Sequence, residues 1–401
     1  MSTGHIRPRG PGAWELKYDL GADPISGKRR IRYRTVHGNR RDAQRELREL
    51  LGAVDQGRYA DPGKMTVGGW LEQWLAEAKH GVSPKTHERY TEIVNKHLVP
   101  ALGALPLAKL APVHIQSYYS DALKSGRLDG KGGLSAQTVR HHDRALNTAL
   151  KRARRLRLIA VNPAEDVARP KVEKRELSIP DQDEFSRLFT VAATTRMYVP
   201  AALTLATGMR RGELLALRWS DIDLDAGTLQ VVRSLEQTRV GVRFKAPKTR
   251  RSRRTIVLPA TAVAMLREHR VRQGEERLAL GLGRNELDLV FTQVGGGVIN
   301  PGSFSMEFGR LVRRAGIRPI TFHTLRHAHI TELLRAGVHP KIASERAGHS
   351  SVGITLDTYS HVVPGMQEAA ARQIDSALRT LFGGKSVAKR YPARGGGKLT
   401  T

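Results

Sequence analysis

The chain contains no cysteine in its 401 residues. Disulfide staples, thiol nucleophiles and cysteine-ligated zinc are therefore excluded together, although the compartment stays open on that ground. Aromatics make up only 5% of the chain, too few for serial stacking platforms, so single-stranded RNA ranks last among polyanionic partners. No run of apolar residues approaches the roughly 18 needed to span a membrane, and Met1 to Gly12 lacks the apolar core of an export signal. A soluble, cytoplasmic protein is expected. Acidic residues are also short: 38 Asp and Glu face 67 Lys and Arg, a formal charge of +29. That balance asks for a polyanionic partner, and because the basic residues run the whole length of the chain, several parts should touch it.

The length suggests two or three domains. Near the start, Trp14, Leu16, Tyr18 and Leu20 alternate with polar residues, as do Ile31, Tyr33 and Thr35 with Arg30, Arg32 and Arg34. This predicts a small sheet, followed by a helix from about Asn39 to Gly57. The Arg stripe fits either a solvated hairpin or a face that enters a DNA groove. After Asp61-Pro62-Gly63 the pattern turns helical, with Ser83 and Pro84 placed to open one helix. A later helix, from about Ser135 to Leu158, buries Val139, Leu146 and Leu150. It carries Arg140, Arg144, Lys151, Arg152, Arg154, Arg155 and Arg157, and between Arg144 and Arg157 only one sign of charge appears, which suits a phosphate-tracking surface. Arg169 to Arg175 reads as a linker. Beyond Pro180 come helices over Gln182–Ala193, Tyr198–Ala206 and Arg211–Arg218. Candidate strands follow at Thr228–Ser234, Gly241–Lys245 and Arg254–Leu258, and then helices to about Leu381. The basic, Gly-rich tail from Lys385 is expected to be disordered without a partner.

Four short segments carry chemistry. In Thr207-Gly208-Met209-Arg210-Arg211-Gly212-Glu213, Arg210 and Glu213 are spaced to share a helix face. Pro247-Lys248-Thr249 sits between two strands, where a lone Lys at a loop tip can reach a phosphate backbone as a point-charge donor. In His323-Thr324-Leu325-Arg326-His327, His323 and Arg326 project together and Leu325 turns inward. Thr324 stands where a zinc H-E-x-x-H motif needs Glu, so a metal site is disfavoured. Gly348-His349 lies ten residues before Tyr359. Each segment alone has a bland reading as an ion pair, a basic loop or a packed helix; their joint order does not.

In that order the segments resemble those of the tyrosine recombinase family, the lambda-type phage integrases. The match runs over about Ser178 to Leu381 and departs from common family residues only at Ala347 and Ala328. Pattern rather than motif extends the likeness to the N-terminal part. The resemblance implies a multidomain chain, mainly α with small β-sheets. It would comprise an arm-type DNA-binding sheet and helix (1–62), an all-α SAM-like core-binding domain (63–168), a linker (169–177), an α+β catalytic domain (178–384) and a flexible tail (385–401). It makes Tyr359 the nucleophile, Arg210, Lys248, His323, Arg326 and His349 the rest of the active site, and Glu213 a supporting residue. The candidate DNA contacts are Arg30, Arg32, Arg34, Arg140, Arg144, Lys151, Arg152 and Arg155.

A phosphodiester attacked by tyrosine concentrates charge on oxygens that bidentate Arg donors stabilise. The 3'-phosphotyrosine so formed conserves the bond energy, so neither metal, ATP nor any other cofactor is expected. The implied partners are double-stranded attachment-site DNA, three further copies in a tetramer, and an excisionase or a DNA-bending host protein. The apolar stripe of Ala369, Ala371, Ile374, Ala377 and Leu378 suggests that the segment beyond Gly365 docks on a neighbouring protomer. The rival readings are an idle DNA-binding regulator of the same architecture and a topoisomerase-like enzyme using the same tyrosine chemistry on one strand.

Overall fold

The computed structural model describes residues 3–22, 29–55, 65–173, 178–246, 253–283, 285–359 and 366–381. The chain divides into two compact units, 1–174 and 175–401.

The first unit opens with an antiparallel three-stranded sheet in the order β1 (Gly4–Gly10), β2 (Ala13–Ala22), β3 (Arg29–His37). The β1–β2 reversal depends on Gly12, whose φ of +67° is strained for any residue with a Cβ. Leu16 and Tyr18 on β2 pack against Ala43 and Leu47 of α1 (Arg40–Asp55) in a small core. The register pairs Leu16 with Arg34 and Tyr18 with Arg32. Directly paired residues project to one side of a sheet. Arg32 and Arg34 therefore lie on the side covered by α1, at the β3 edge, and Arg34 reaches Glu46 of that helix at 3.0 Å. The open face carries Arg7, Arg9, Lys17, Tyr33 and Thr35 instead.

The rest of this unit is helical, with its own core of Trp70, Leu71, Leu98, Ile115, Tyr119, Leu146 and Leu150. It comprises α2 (Val67–Gly81), α3 (Pro84–Ile93), a π turn at Val94–Leu98, α4 (Val99–Leu102), α5 (Pro112–Ser125) and α6 (Ala136–Arg155). The expected Ser83 cap is present, its hydroxyl accepting from the Thr86 amide with Pro84 in the first turn; such a cap is worth about 1 kcal/mol. Trp70 is fully buried and its indole donates to the Ala149 carbonyl, which ties α2 to α6.

In the second unit α7 (Gln182–Ala192), α8 (Tyr198–Thr207) and α9 (Arg211–Leu214) precede the strands. The helix expected over Arg211–Arg218 is shorter than the pattern suggested. It stops at Leu214, after which the Ala216 and Leu217 amides bond only three residues back, to the Glu213 and Leu214 carbonyls. The strand expected over Thr228–Ser234 divides into β5 (Thr228–Val231) and β6 (Ser234–Gln237). With β4 (Ile222–Asp223), β7 (Val242–Lys245) and β8 (Arg254–Val257) these form a β4-β5-β8 sheet and a β6-β7 pair. The strands flanking Lys248 thus pair with different partners. Then follow α10 (Ala260–Ala279), α11 (Pro301–Arg314), α12 (Phe322–Arg335), α13 (Pro340–Ala347), α14 (Val352–Tyr359) and α15 (Met366–Leu381). Ile374 and Leu378 of α15 are exposed, and the tail after residue 381 lies outside the described residues.

Candidate active site

The site begins where α8 ends. Gly208 adopts φ +67° there, and a Cβ on it would sit 2.6 Å from the His329 ring. Backbone strain and lack of space both demand glycine. The reversal delivers Arg210 in extended backbone at the entrance of α9. Glu213 turns back toward it, accepting from the Arg210 amide at 3.0 Å and from Nη1 at 2.8 Å. The spaced pair read from the sequence does meet, but as a helix-entrance cap rather than as two side chains on one helix face.

Glu213 is only 5% exposed and also accepts from Arg254 Nη2 at 2.8 Å. Burial works to raise its pKa, but the Arg254 and Arg210 guanidiniums and the Arg210 amide outweigh it and hold the carboxylate below its usual range.

The second glycine turn mirrors the first. Gly348 closes α13 with φ +67°, and its carbonyl accepts from Arg210 Nη2 at 2.7 Å. The Gly208 carbonyl accepts from Arg326 Nη1 at 2.6 Å. Arg326, on α12, is 1% exposed. Each arginine is thus pinned to a left-handed glycine, and the two pins bring α9, α12 and α13 to one place. His349 follows Gly348 directly, its Nδ1 bonded to Thr355 Oγ1 of α14 at 2.8 Å. His323, one helical turn before Arg326, meets His327 edge-on with ring centroids 4.7 Å apart.

Loss of solvent, then the charges of Arg326 and Arg210, push His349 down to about 4. His323 keeps a solvent-exposed edge yet moves the same way, through desolvation first and then His327, Arg326 and Arg210. Both imidazoles are neutral at pH 7, so each holds one donor and one acceptor nitrogen.

Of the residues singled out in the sequence, the structure gathers Arg210, Glu213, His323, Arg326 and His349. Lys248 and the Tyr359 side chain lie outside the described residues; the Tyr359 backbone ends α14, one turn beyond Thr355. Sequence reasoning missed Arg254, which is indistinguishable by composition from its neighbours Arg250, Arg251 and Arg253. Strand alternation was the signal: Ile256 and Leu258 are buried, so Arg254 shares their inward face.

The candidate DNA contacts on α6 divide into two kinds. Arg140, Arg144, Lys151 and Arg155 are exposed and fall within one stripe at helical spacing. Among the described residues no carboxylate lies within ion-pair reach of Arg140, Arg144 or Arg155. Arg152 instead pairs with Glu77 at 3.0 Å and Arg154 with Glu165 at 2.9 Å, while Lys151 reaches the same Glu165 only at 3.9 Å. Among the described residues no cluster of metal-ligating side chains and no helix long and apolar enough to cross a membrane is found.

Comparison with known proteins places this arrangement. Residues 180–365 match the model of the phage integrase family, and residues 66–123 match the N-terminal SAM-like domain of phage integrases. A XerC-like tyrosine recombinase of Caldanaerobacter subterraneus is 28% identical over 84% of this chain and 89% of its own length. An integrase of Streptomyces ambofaciens is 28% identical over 95% of both chains. Among solved structures, the Tn1549 transposon integrase in complex with a circular intermediate DNA shares the fold over 77% of this chain and 99% of its own, with TM-score 0.64 and 20% identity. A lambda integrase dimer bound to a core site does so over 88% and 94%, with TM-score 0.55 and 20% identity. Matched across its helical region and its arginine-histidine site alike, this chain belongs to the phage integrase family of tyrosine recombinases.

Proposed function

We propose that the protein is a site-specific recombinase that integrates and excises a phage or mobile element by cleaving and rejoining attachment-site DNA through a 3'-phosphotyrosine on Tyr359. The observation that carries this reading is the pinning of Arg210 and Arg326 to the two glycine turns. It leaves two positive guanidiniums close enough for both to act on neutral His323 and His349.

Arg210 and Arg326 bind the non-bridging oxygens of the scissile phosphate and stabilise the charge that gathers there in the transition state. His349 donates a further hydrogen bond, for which its Nδ1 must accept from the Thr355 hydroxyl so that Nε2 carries the proton. Tyr359 attacks the phosphorus. Its ordinary pKa of about 10 makes it a poor nucleophile at neutral pH, and neutral His323 accepts the phenolic proton. Lys248 protonates the departing 5'-hydroxyl. Rejoining reverses these steps with a different 5'-hydroxyl and needs neither ATP nor a metal ion.

In this scheme residues 1–62 bind arm-type sites, 63–168 bind the core site, 169–177 link them to the catalytic residues 178–384, and 385–401 form a tail. The Arg140, Arg144, Lys151 and Arg155 stripe tracks phosphates. Arg30, Arg32 and Arg34 border the arm-site surface from the edge of β3, and Arg152 contributes less because Glu77 holds it. The protein works in the bacterial cytoplasm as a tetramer on two DNA sites, helped by an excisionase or a DNA-bending host protein. Its segment beyond Gly365 docks on a neighbouring copy; unchanged assembly on DNA after deleting that segment, read on a native gel, would rule the docking out.

The decisive experiment incubates wild type and Tyr359→Phe with a suicide attachment-site duplex in EDTA, followed by a denaturing gel. Candidate sites come from the DNA flanking the gene. An adduct with wild type alone is expected. An adduct with both would move the nucleophile elsewhere, and tight binding without adduct from either would indicate a DNA-binding regulator.

A further inference from the structure

Arg254 is 7% exposed and bridges two elements, α9 and α13. Its Nη2 bonds Glu213 on α9, its Nε donates to the Arg346 carbonyl in α13 at 2.7 Å, and its Nη1 lies 2.7 Å from where a Cβ on Gly348 would stand. Arg210 spans the same two elements from the other side, bonding Glu213 and the Gly348 carbonyl. The two arginines and the one carboxylate therefore close a ring through the turn that carries His349. We propose that Arg254 is a positioning residue for strand cleavage, holding Arg210 and the His349 turn in register through Glu213; this rests on the assignment of Arg210 and His349 to the active site.

The reason is charge as much as geometry. Glu213 carries one negative charge between two cations, so Arg210 keeps positive charge to offer a phosphate. Without Arg254 the carboxylate belongs to Arg210 alone, which closes onto it as a bidentate pair, turned away from DNA. The Arg346 carbonyl simultaneously loses its donor, and the backbone two residues before Gly348 is no longer held. Lysine at this position supplies the charge, but a single ammonium does not reproduce the planar fork that serves Glu213 and the Arg346 carbonyl together.

The test uses the full chain as wild type, Arg254→Met, Arg254→Lys and Tyr359→Phe, on a suicide duplex carrying the attachment site. DNA affinity is measured by fluorescence anisotropy, single-turnover cleavage on a denaturing gel, and the folded fraction by thermal melting. Arg254→Met is expected to bind DNA within about twofold of wild type and to cleave roughly 10- to 100-fold more slowly, the range for a displaced catalytic group. Arg254→Lys should recover part of that rate while melting close to wild type, and it decides the matter if the methionine variant does not fold. Cleavage by Arg254→Met within threefold of wild type, or a rate loss fully accounted for by lost affinity or lost folded protein in both variants, overturns the positioning role. An adduct with Tyr359→Phe overturns the site assignment as well, whereas an inert Tyr359→Phe beside a fast Arg254→Met overturns the positioning role alone.

Discussion

Replacing Glu213 by Gln keeps the shape of the side chain and removes its charge. The two ion pairs it breaks are of unequal weight. Arg210 is 38% exposed, so its pairing with Glu213 is screened and contributes at most about 1 kcal/mol. Arg254 is 7% exposed, and stranding a buried cation costs roughly 3–5 kcal/mol. The low end applies because Arg254 Nε keeps its bond to the Arg346 carbonyl. A loss of about 3 kcal/mol in a unit of this size lowers Tm by roughly 6–12 °C. The measurement is a thermal melt of the full chain, with hydrogen-exchange mass spectrometry of peptides between Arg210 and Val257 assigning the transition. Acid provides a second check. A carboxylate whose folded pKa is depressed stabilises above its unfolded pKa and loses that contribution as pH falls toward the folded value. The gap between wild type and Glu213→Gln should therefore narrow once the pH drops below the ordinary Glu value of 4.5. A Tm within 2 °C of wild type at pH 7, or a gap that stays constant into acid, would refute the reasoning.

Two further outcomes are expected. His329 is 7% exposed, donates from Nδ1 to the Leu205 carbonyl and accepts from Arg346 at Nε2. This pattern requires the neutral ring, and burial, followed by the Arg346 charge, pushes its pKa down to about 4. The unfolded chain takes up that proton first, so stability falls as pH drops below 6.5, by about 1.4 kcal/mol per pH unit for this group. His329→Gln should flatten the fall in Tm between pH 6.5 and 5, and an unchanged slope would remove His329 from the account. On α6, Arg144→Ala should lower the salt dependence of DNA binding by about one counterion, measured as the slope of log affinity against log salt, while Arg152→Ala should change it less because Glu77 already neutralises that side chain. Equal slopes for the two variants would mean that the ion pair opens on DNA.

Much of this architecture is local chemistry and could be read along the chain. Ser83-Pro84 opens a helix because the hydroxyl and the ring meet the needs of a helix N-terminus, whatever surrounds them. The alternation of Trp14, Leu16 and Tyr18 marks a strand with one buried face, and the order of Arg210, Lys248, His323, Arg326, His349 and Tyr359 carries the family. Element edges were less legible: Leu215 to Leu217 continue a helical pattern, yet the backbone tightens to three-residue hydrogen bonds there and the helix ends at Leu214.

Pairings between distant segments were decided only by tertiary structure. Register turned Arg32 and Arg34 to the helix side of the first sheet, a choice set by hydrogen bonds to β2 that leave no trace in the composition of β3. Opposite charges on α2 and the segment after α6 diverted Arg152 and Arg154 from the basic stripe. Arg254 was one cation in a basic run until folding placed it beside Glu213, 41 residues away, and the Arg346 carbonyl, 92 residues away. Residue type and spacing are local quantities and identify which groups can do chemistry. Which cation faces a phosphate and which is spent holding another depends on what long-range packing sets beside it.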